Sequence, residues 1–181
     1  MTSSLRVILV TLSLSSVLAA GAERNVFAAK PEDVFKGQVV ITKKRLATRF
    51  SSGDAFISAV RQAKTDKVWP KVQKGNDEAV WRVEYVAFFA KPLDDFEVMV
   101  KFYDVTGGAR KYIAGDAQMT RERGTRVFAS DIEVAKPDFD ANRKYLMVVE
   151  TKGRTLASTT FWLRGKGEEY SGKVDFSEKE R

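Results

Sequence analysis

The sequence predicts an all-β protein, a single antiparallel β-sandwich of about seven strands, with one short helix inserted near residues 54–66. Apolar and polar residues alternate over several short segments, as in strands with one face in a core. Turn residues and short links separate these segments. The strand–helix–strand rhythm of a parallel sheet is absent.

The segment from Val80 to Val105 has the strongest alternation in the chain. We predict two long antiparallel strands here, joined as a hairpin by a short turn at residues 91–95. The end of the first strand is apolar on both faces, which places it in the middle of a sheet. The predicted core face consists of Trp81, Val83, Tyr85, Ala87 and Phe89 in the first strand and Phe96, Val98, Val100 and Phe102 in the second.

The remaining strands follow the same alternation and are separated by loops, of which residues 115–125 are the longest polar one. On the strand at 126–134, apolar residues recur at every second position, so we expect one of its faces to be buried. The predicted strands are 37–42, 79–90, 96–104, 109–114, 126–134, 144–151 and 155–163.

Helical spacing replaces alternation over residues 54–66, where we predict a helix of about three turns. Ser52 or Asp54 would cap its first turn. Pro70 prevents the helix from continuing, so an irregular basic link follows. The competing interpretation is a strand through residues 55–57. The residues that define the helical spacing are Phe56, Ala59, Val60 and Ala63.

Residues 1–22 resemble a secretory signal peptide. Arg6 supplies the positive charge, residues 7–18 are apolar, and Ala20-Gly21-Ala22 fits the small residues before a cleavage site. The apolar run is shorter than the ~20 residues that span a bilayer. The alternative is an N-terminal anchor or core helix. We therefore expect a secreted or periplasmic protein with at most peripheral membrane contact.

After the leader, we divide the chain into a polar lead-in at 23–36, the sandwich domain at 37–164 and a polar tail at 165–181. Few apolar anchors are present in the tail, so we expect it to be frayed. The alternative for the tail is a short edge strand, because Val174 and Phe176 alternate with polar neighbours.

The chain lacks both Cys and His, and its formal net charge is +7. Without imidazole or thiol, the usual serine and cysteine hydrolases and the common zinc, copper and iron sites are excluded. Carboxylate, Lys, Tyr or Ser–Lys chemistry remains. No phosphate-binding, dinucleotide-binding or calcium-loop motif is present, so we expect no cofactor and no metal. The mild positive charge favours acidic partners.

The segment from Phe139 to Tyr145, leading into an apolar strand, resembles the tyrosine corner of immunoglobulin-like and fibronectin type III-like sandwiches. There, a Tyr at the start of the penultimate strand bonds back to the preceding connection. The resemblance covers roughly residues 79–163 and is at the level of the fold. It implies a binding or scaffold role and a structural role for Tyr145.

Two groups of basic residues are candidate binding residues. Lys64, Lys67, Lys71 and Lys74 are three or four apart and would bind a polyanion if they shared a face, although solvated surface lysines are the commoner case. The second group would converge if its strands were neighbours, the alternative being a loop of local ion pairs around Arg121-Glu122-Arg123. That group consists of Arg110, Lys111, Arg121, Arg123 and Arg126.

Trp69, beside Pro70, is the best candidate for an exposed aromatic anchor, although we expect it to pack against the sheet. Acidic pairs occur at Asp94-Asp95, at Glu168-Glu169 and at Asp131 with Glu133. A glycosidase needs its two carboxylates at a set separation in a cleft, which adjacent turn residues do not supply.

These observations favour an exported, non-catalytic binding or accessory module of the cell envelope. Its partner would be an envelope protein or an acidic surface polymer, and nucleic acid is not expected in that location. The alternatives are a carbohydrate- or small-ligand-binding sandwich and, less favoured, a carboxylate-type enzyme. An open edge strand would indicate a protein partner, and an exposed aromatic platform would indicate a sugar.

Overall fold

The computed structural model describes residues 29–73 and 76–165 of the chain. For residues 72, 73 and 76–78 it describes the backbone alone. The predicted leader at 1–22, residues 23–28 of the lead-in and residues 166–181 of the tail lie outside the described residues. The helices and strands are α1 (Pro31–Val34), β1 (Val39–Thr42), α2 (Gly53–Ala63), β2 (Lys67–Val68), β3 (Lys71–Gln73), β4 (Asn76–Phe88), β5 (Glu97–Asp104), β6 (Lys111–Met119), β7 (Val127–Ala135), β8 (Arg143–Thr151) and β9 (Arg154–Leu163).

These strands form two sheets, as expected for a sandwich. In the four-stranded sheet, β4 pairs with β1 and β3 along one side and with β7 along the other. The five-stranded sheet has the order β2-β9-β8-β5-β6. All of these pairings are antiparallel except that of β2 with β9. The predicted all-β sandwich is confirmed, and β2 and β3 are short additions to the seven expected strands.

The predicted hairpin between residues 80 and 105 is wrong, because β4 and β5 belong to different sheets. The connection crosses the sandwich and is fixed at Leu93, whose N–H donates to the carbonyl of Thr125 at 2.9 Å. Leu93 itself is buried in the core. Alternation in the sequence identifies the buried face of a strand but does not identify the strand that pairs with it. Here the link with its buried Leu93 leads from one sheet into the other.

The inward faces of both sheets form the main core. It includes the predicted residues Trp81, Val83 and Tyr85 of β4 and the inward side chains of β5. Phe96 is the exception, since 41% of its surface is exposed. It precedes β5, outside the paired strand, so the alternation of β5 does not govern the direction of its side chain.

A second apolar cluster lies on the outer face of the four-stranded sheet, where α2 covers β1 and β4. Ile57 and Val60 of α2 pack there against Val86 and Phe88. This cover explains why the end of β4 is apolar on both faces. The helix prediction is confirmed over the strand alternative. Its cap is Ser52, whose Oγ accepts a hydrogen bond from the N–H of Ala55 at 3.1 Å.

Two segments predicted to be irregular contain strands. β6 continues to Met119, into the predicted polar loop at 115–125. It has no regular burial pattern, because it is the last strand of its sheet and most of its side chains are exposed. Sequence alternation therefore could not reveal the second half of β6, after residue 114. The basic link after α2 likewise contains β2 and β3, which are too short to show a period.

The tyrosine corner is present. The Oη of Tyr145 accepts a hydrogen bond from the N–H of Asp140 at 2.9 Å and lies 3.4 Å from its carbonyl oxygen. Together with the two sheets and the crossing connections between them, this contact defines an immunoglobulin-like β-sandwich. No helix in the described part of the chain is long and apolar enough to cross a membrane.

Candidate functional site

A cavity of about 600 Å³ opens beside β7, the outermost strand of the four-stranded sheet. The segment that follows β1 borders it on the outer side of the sheet, and the loop between β6 and β7 borders it on the other. Its apolar walls come from Leu46, Ala47, Phe50, Phe56, Val86, Met119, Val127, Phe128 and Ala129. The cavity thus encloses the N-terminal half of the free edge of β7.

The hydrogen-bond register shows which backbone groups of β7 face this edge. The N–H of Phe89 donates to the carbonyl of Arg126, so this pair and every second pair after it exchange hydrogen bonds with β4. The backbone groups of Ala129, Asp131 and Glu133 therefore point away from β4. Val127 shares this orientation, and its carbonyl accepts from Thr125 Oγ1 at 2.8 Å.

The N-terminal half of the β7 edge, before Asp131 and Glu133, carries few of the features that usually protect an edge strand. Its pairing with β4 runs over nine residue pairs without a register shift, and the strand contains no Pro or Lys. Ala129 is exposed at its middle. By contrast, the edge strand β6 has Lys111 at its start and a register shift in its pairing with β5. Of the two edges, β7 is the better template for an additional strand.

The hydroxyl of Tyr85 lines the same cavity. The side chain is 1% exposed, and its Oη has no hydrogen-bond partner among the described residues. Burial raises the pKa of this hydroxyl above its ordinary value, and the nearby Ser130 hydroxyl offsets part of that rise, although the two groups do not meet hydrogen-bond geometry. The neighbouring Ser130 donates its own hydroxyl proton to Gln118 Oε1 at 2.8 Å, which ties β7 to β6. A buried hydroxyl without a partner is costly, and a ligand with an acceptor group would relieve that cost.

Two of the three acidic residues at the cavity, Glu84 and Asp131, are bound in ion pairs, whereas Glu122 joins no ion pair of the described residues. Arg82 Nε lies 3.0 Å from Glu84 of the same strand and 2.9 Å from Asp131 of the neighbouring strand β7. The ion pair with Asp131 raises the pKa of Arg82 above its ordinary value. Both carboxylates are thus shared with one guanidinium. The described residues contain no cluster of three metal-ligating side chains.

The predicted lysine group is divided by the fold. Lys64, Lys67 and Lys71 are all exposed. Lys64 follows the last residue of α2, Lys67 lies in the five-stranded sheet, and Lys71 lies in the four-stranded one. Lys74 lies outside the described residues. Spacing along the chain suggested a shared face, but the chain changes sheet between Lys67 and Lys71.

The predicted arginine group does not converge as a whole. Arg110 precedes β6, whereas Arg121 and Arg123 follow its other end, roughly 25 Å away for a strand of this length. Arg121 lines the cavity, and the guanidinium of Arg123 lies 4.8 Å from the ring centre of Phe96. Arg126 directly precedes β7. The ion pairs of the described residues include none between Glu122 and its neighbouring arginines.

The tryptophans occupy three different environments. Trp69 is 56% exposed, so the expectation that it packs against the sheet is wrong. Trp81 is fully buried, and its Nε1 donates to the carbonyl of Arg164 at 2.7 Å. Trp162 faces outward, and the guanidinium of Arg164 lies 4.7 Å from its ring centre. Sequence reasoning missed the pairing of Trp162 with Arg164, although their spacing of two along a strand places them on one face.

Sequence reasoning also missed the roles of Ala129 and the Tyr85 hydroxyl. Tyr85 was correctly placed in the core, and a core Tyr always raises the question of a partner for its hydroxyl. Nothing in the local sequence marks Ala129, because the free edge arises only from the order of the strands.

No protein-family model and no curated protein sequence matches this chain. Among solved structures, it is similar to an immunoglobulin-like protein from Pseudomonas aeruginosa, with 11% sequence identity and a TM-score of 0.37. The match covers 70% of this chain and 90% of that one.

Proposed function

We propose that this chain is an exported, non-catalytic binding module of the cell envelope and that it recognises a protein partner by adding an extended segment of that partner to the edge of β7. The observation that carries the proposal is the unprotected edge at Ala129, which opens into the cavity of about 600 Å³. Strand addition is a common way to bind an extended peptide, since backbone hydrogen bonds supply affinity and pockets supply specificity.

An added strand would continue the four-stranded sheet, so its side chains would alternate between the two sides of the cavity. Those on the outer side would meet Phe50 and Phe56, beside the helix α2. Those on the inner side would meet Phe128 and Met119, the latter being 67% exposed. This arrangement favours a segment with apolar residues at alternating positions.

Polar groups refine the expected sequence of that segment. An inner-side Ser, Thr or Asn would accept the hydrogen bond that Tyr85 does not make within the described residues. Arg45 and Arg121 also line the cavity, whereas two of its three acids, Glu84 and Asp131, are already paired with Arg82. We therefore expect acidic residues at one end of the bound segment.

Export and the absence of catalysis are supported by the sequence. Residues 1–22 resemble a leader, and the chain contains neither His nor Cys. Glu84 and Asp131 of the cavity share one guanidinium, and Glu122 is exposed, whereas a general acid needs a carboxyl whose proton is retained near neutral pH. A binding role fits this chemistry better than a carboxylate-type reaction.

The proposal is tested by blocking the edge without breaking the sheet. In Ala129→Pro, the lost N–H is one that points away from β4, so the β4–β7 ladder is retained. Ala117→Pro is the matched control, because Ala117 is an exposed residue at the equivalent outward position of the other edge, β6. Folding of both variants is checked by circular dichroism and urea denaturation.

Both variants and the parent chain are used to capture proteins from envelope extract of the producing organism. The binding segment of any captured protein is then mapped with synthetic peptides. The expected result is a single extended segment that binds the parent and Ala117→Pro, and binds Ala129→Pro at least about tenfold more weakly. Equal binding to all three chains, or binding by a folded surface without an extended segment, would overturn the proposal.

A further inference from the structure

We propose a second binding site, independent of the β7 edge, on the outer face of the five-stranded sheet. There Lys67, Trp162, Lys144 and Arg164 form a basic surface around one indole, hereafter the tryptophan face, which binds an acidic polysaccharide through its carboxylates. No two of these four residues are adjacent in sequence, and only the fold brings them together.

Strand pairing places three of these residues side by side. Trp162 of β9 is the register partner of Lys67 in β2 and of Lys144 in β8. Its neighbours Phe161 and Leu163 are fully buried, so Trp162 and its two lysine partners point outward. With strands about 4.8 Å apart, the lysine backbones lie about 10 Å apart, one on each side of the indole.

Arg164, the residue directly after β9, completes the tryptophan face. It follows Trp162 by two positions, and its guanidinium is stacked at 4.7 Å from the ring centre of the indole. Its backbone is held on both sides, because its N–H donates to Val68 and its carbonyl accepts from Trp81. A stacked guanidinium loses little freedom when its N–H edge binds a carboxylate with two hydrogen bonds.

The charge balance at this end of the sheet favours an anion. No ion pair of the described residues involves Lys67, Lys144 or Arg164. Asp104, at the end of β5, and Asp140, in the connection before β8, are paired with Arg143. Asp66, which precedes Lys67, joins no ion pair of the described residues. Three cations therefore surround one aromatic ring without an internal counterion in the described structure.

The form of the tryptophan face indicates a linear polymer. It lies across three adjacent strands, where an extended chain gains contacts at successive positions. The indole is partly exposed and has Arg164 stacked over its ring, so it offers sugar rings an apolar contact beside the guanidinium, while the lysines and Arg164 offer donors to carboxylates. Anionic lipid headgroups share the anion chemistry but present no linear chain of rings.

The test measures binding of polygalacturonate by titration calorimetry at two salt concentrations, with neutral dextran as the ligand control. The site variant is the double change Lys67→Gln with Lys144→Gln, and Arg164→Gln is a second, single-site variant. The matched control is Lys64→Gln with Lys71→Gln, which removes the same charge from exposed positions elsewhere.

We expect the parent to bind polygalacturonate, more weakly at high salt, and not to bind dextran. Each site variant should lose affinity by about tenfold, and the matched control by less than about twofold. Equal losses in the site and control variants would overturn the site, as would stronger binding to phosphatidylglycerol vesicles than to polygalacturonate. Ala129→Pro should bind polygalacturonate with the same affinity as the parent. A failure of the tryptophan face can therefore be distinguished from a failure of the β7 edge.

Discussion

The backbone N–H of Asp140 donates to the hydroxyl of Tyr145 across 2.9 Å, which ties the connection after β7 to the start of β8. Tyr145 is 1% exposed, and the ring of Phe139 packs at 5.2 Å from its own. One side chain thus anchors the link between the two sheets in the core of the sandwich. Tyr145 is also the residue on which the sequence resemblance to immunoglobulin-like sandwiches mainly rests.

Removal of the Tyr145 hydroxyl should destabilise the fold. In Tyr145→Phe, the N–H of Asp140 loses its partner in a partly buried site, and we expect the free energy of unfolding to fall by about 1–3 kcal/mol. Urea denaturation measures this change. Tyr112→Phe is the matched control, because Tyr112 is 55% exposed, and it should change stability by less than about 0.5 kcal/mol. Equal stability of the Tyr145 variant and the parent would contradict the role of the corner.

Removal of the Tyr85 hydroxyl should not destabilise the fold, in contrast to removal of the Tyr145 hydroxyl. Its Oη is buried without a partner among the described residues, so Tyr85→Phe removes an unsatisfied polar group. We expect the free energy of unfolding to stay the same or to rise by up to about 1 kcal/mol. The measurement is the same urea denaturation. A loss as large as that of Tyr145→Phe would show that the hydroxyl is bonded within the folded chain.

Asp104 should make part of the stability depend on acid pH. Burial acts to raise the pKa of its carboxyl, but hydrogen bonds from the N–H of Thr106 and from Arg143, both 2.8 Å long, outweigh burial and hold the pKa below its ordinary value. The folded state thus favours the charged carboxylate. Its contribution is complete above the ordinary pKa of about 3.9 and is lost as the pH falls through the lower folded value.

Asp104→Asn should therefore flatten the loss of stability below about pH 4, which denaturation at a series of pH values measures. Asp138→Asn is the control, since Asp138 is exposed and joins no ion pair of the described residues. It should retain the acid-dependent loss of the parent. If Asp104→Asn and the parent lose the same stability between about pH 5 and about pH 2, the role assigned to the Asp104 carboxylate is wrong.

Export should remove the first 22 residues. When the full chain is produced with a C-terminal tag in a bacterium, we expect the protein in the envelope or medium fraction to begin at Glu23, because Ala20-Gly21-Ala22 precedes it. N-terminal sequencing of the tagged protein reads this directly. A change of Ala20 and Ala22 to Asp should leave the precursor uncut. Recovery of the intact chain from the cytoplasm alone would contradict the export part of the proposed function.

Local sequence was sufficient for several elements. The alternation through Trp81, Val83 and Tyr85 correctly predicted the core face of β4, and helical spacing after Ser52 correctly predicted α2. These predictions succeed because the spacing of apolar residues within one strand or helix shows which face of that element is buried. β6 was predicted only in part, since an exposed edge strand has no buried face to impose a period.

The candidate sites depended on contacts that are distant in sequence. The lysines from Lys64 to Lys74 looked like one group, yet Lys67 and Lys71 belong to different sheets. Lys67 instead lies beside Trp162 and Lys144, which come from another part of the chain. Spacing along a strand cannot predict such neighbours, because they are set by the pairing register between strands.

By itself, the sequence determined that the chain forms a β-sandwich with a tyrosine corner, since period-two alternation and a core Tyr express local burial. Only the tertiary structure decided that β4 and β5 separate into two sheets, that β7 has a free edge and that Trp162 is flanked by lysines. The physical reason is that a strand's own residues specify which face it buries, whereas its partners are chosen by the packing of the whole sandwich.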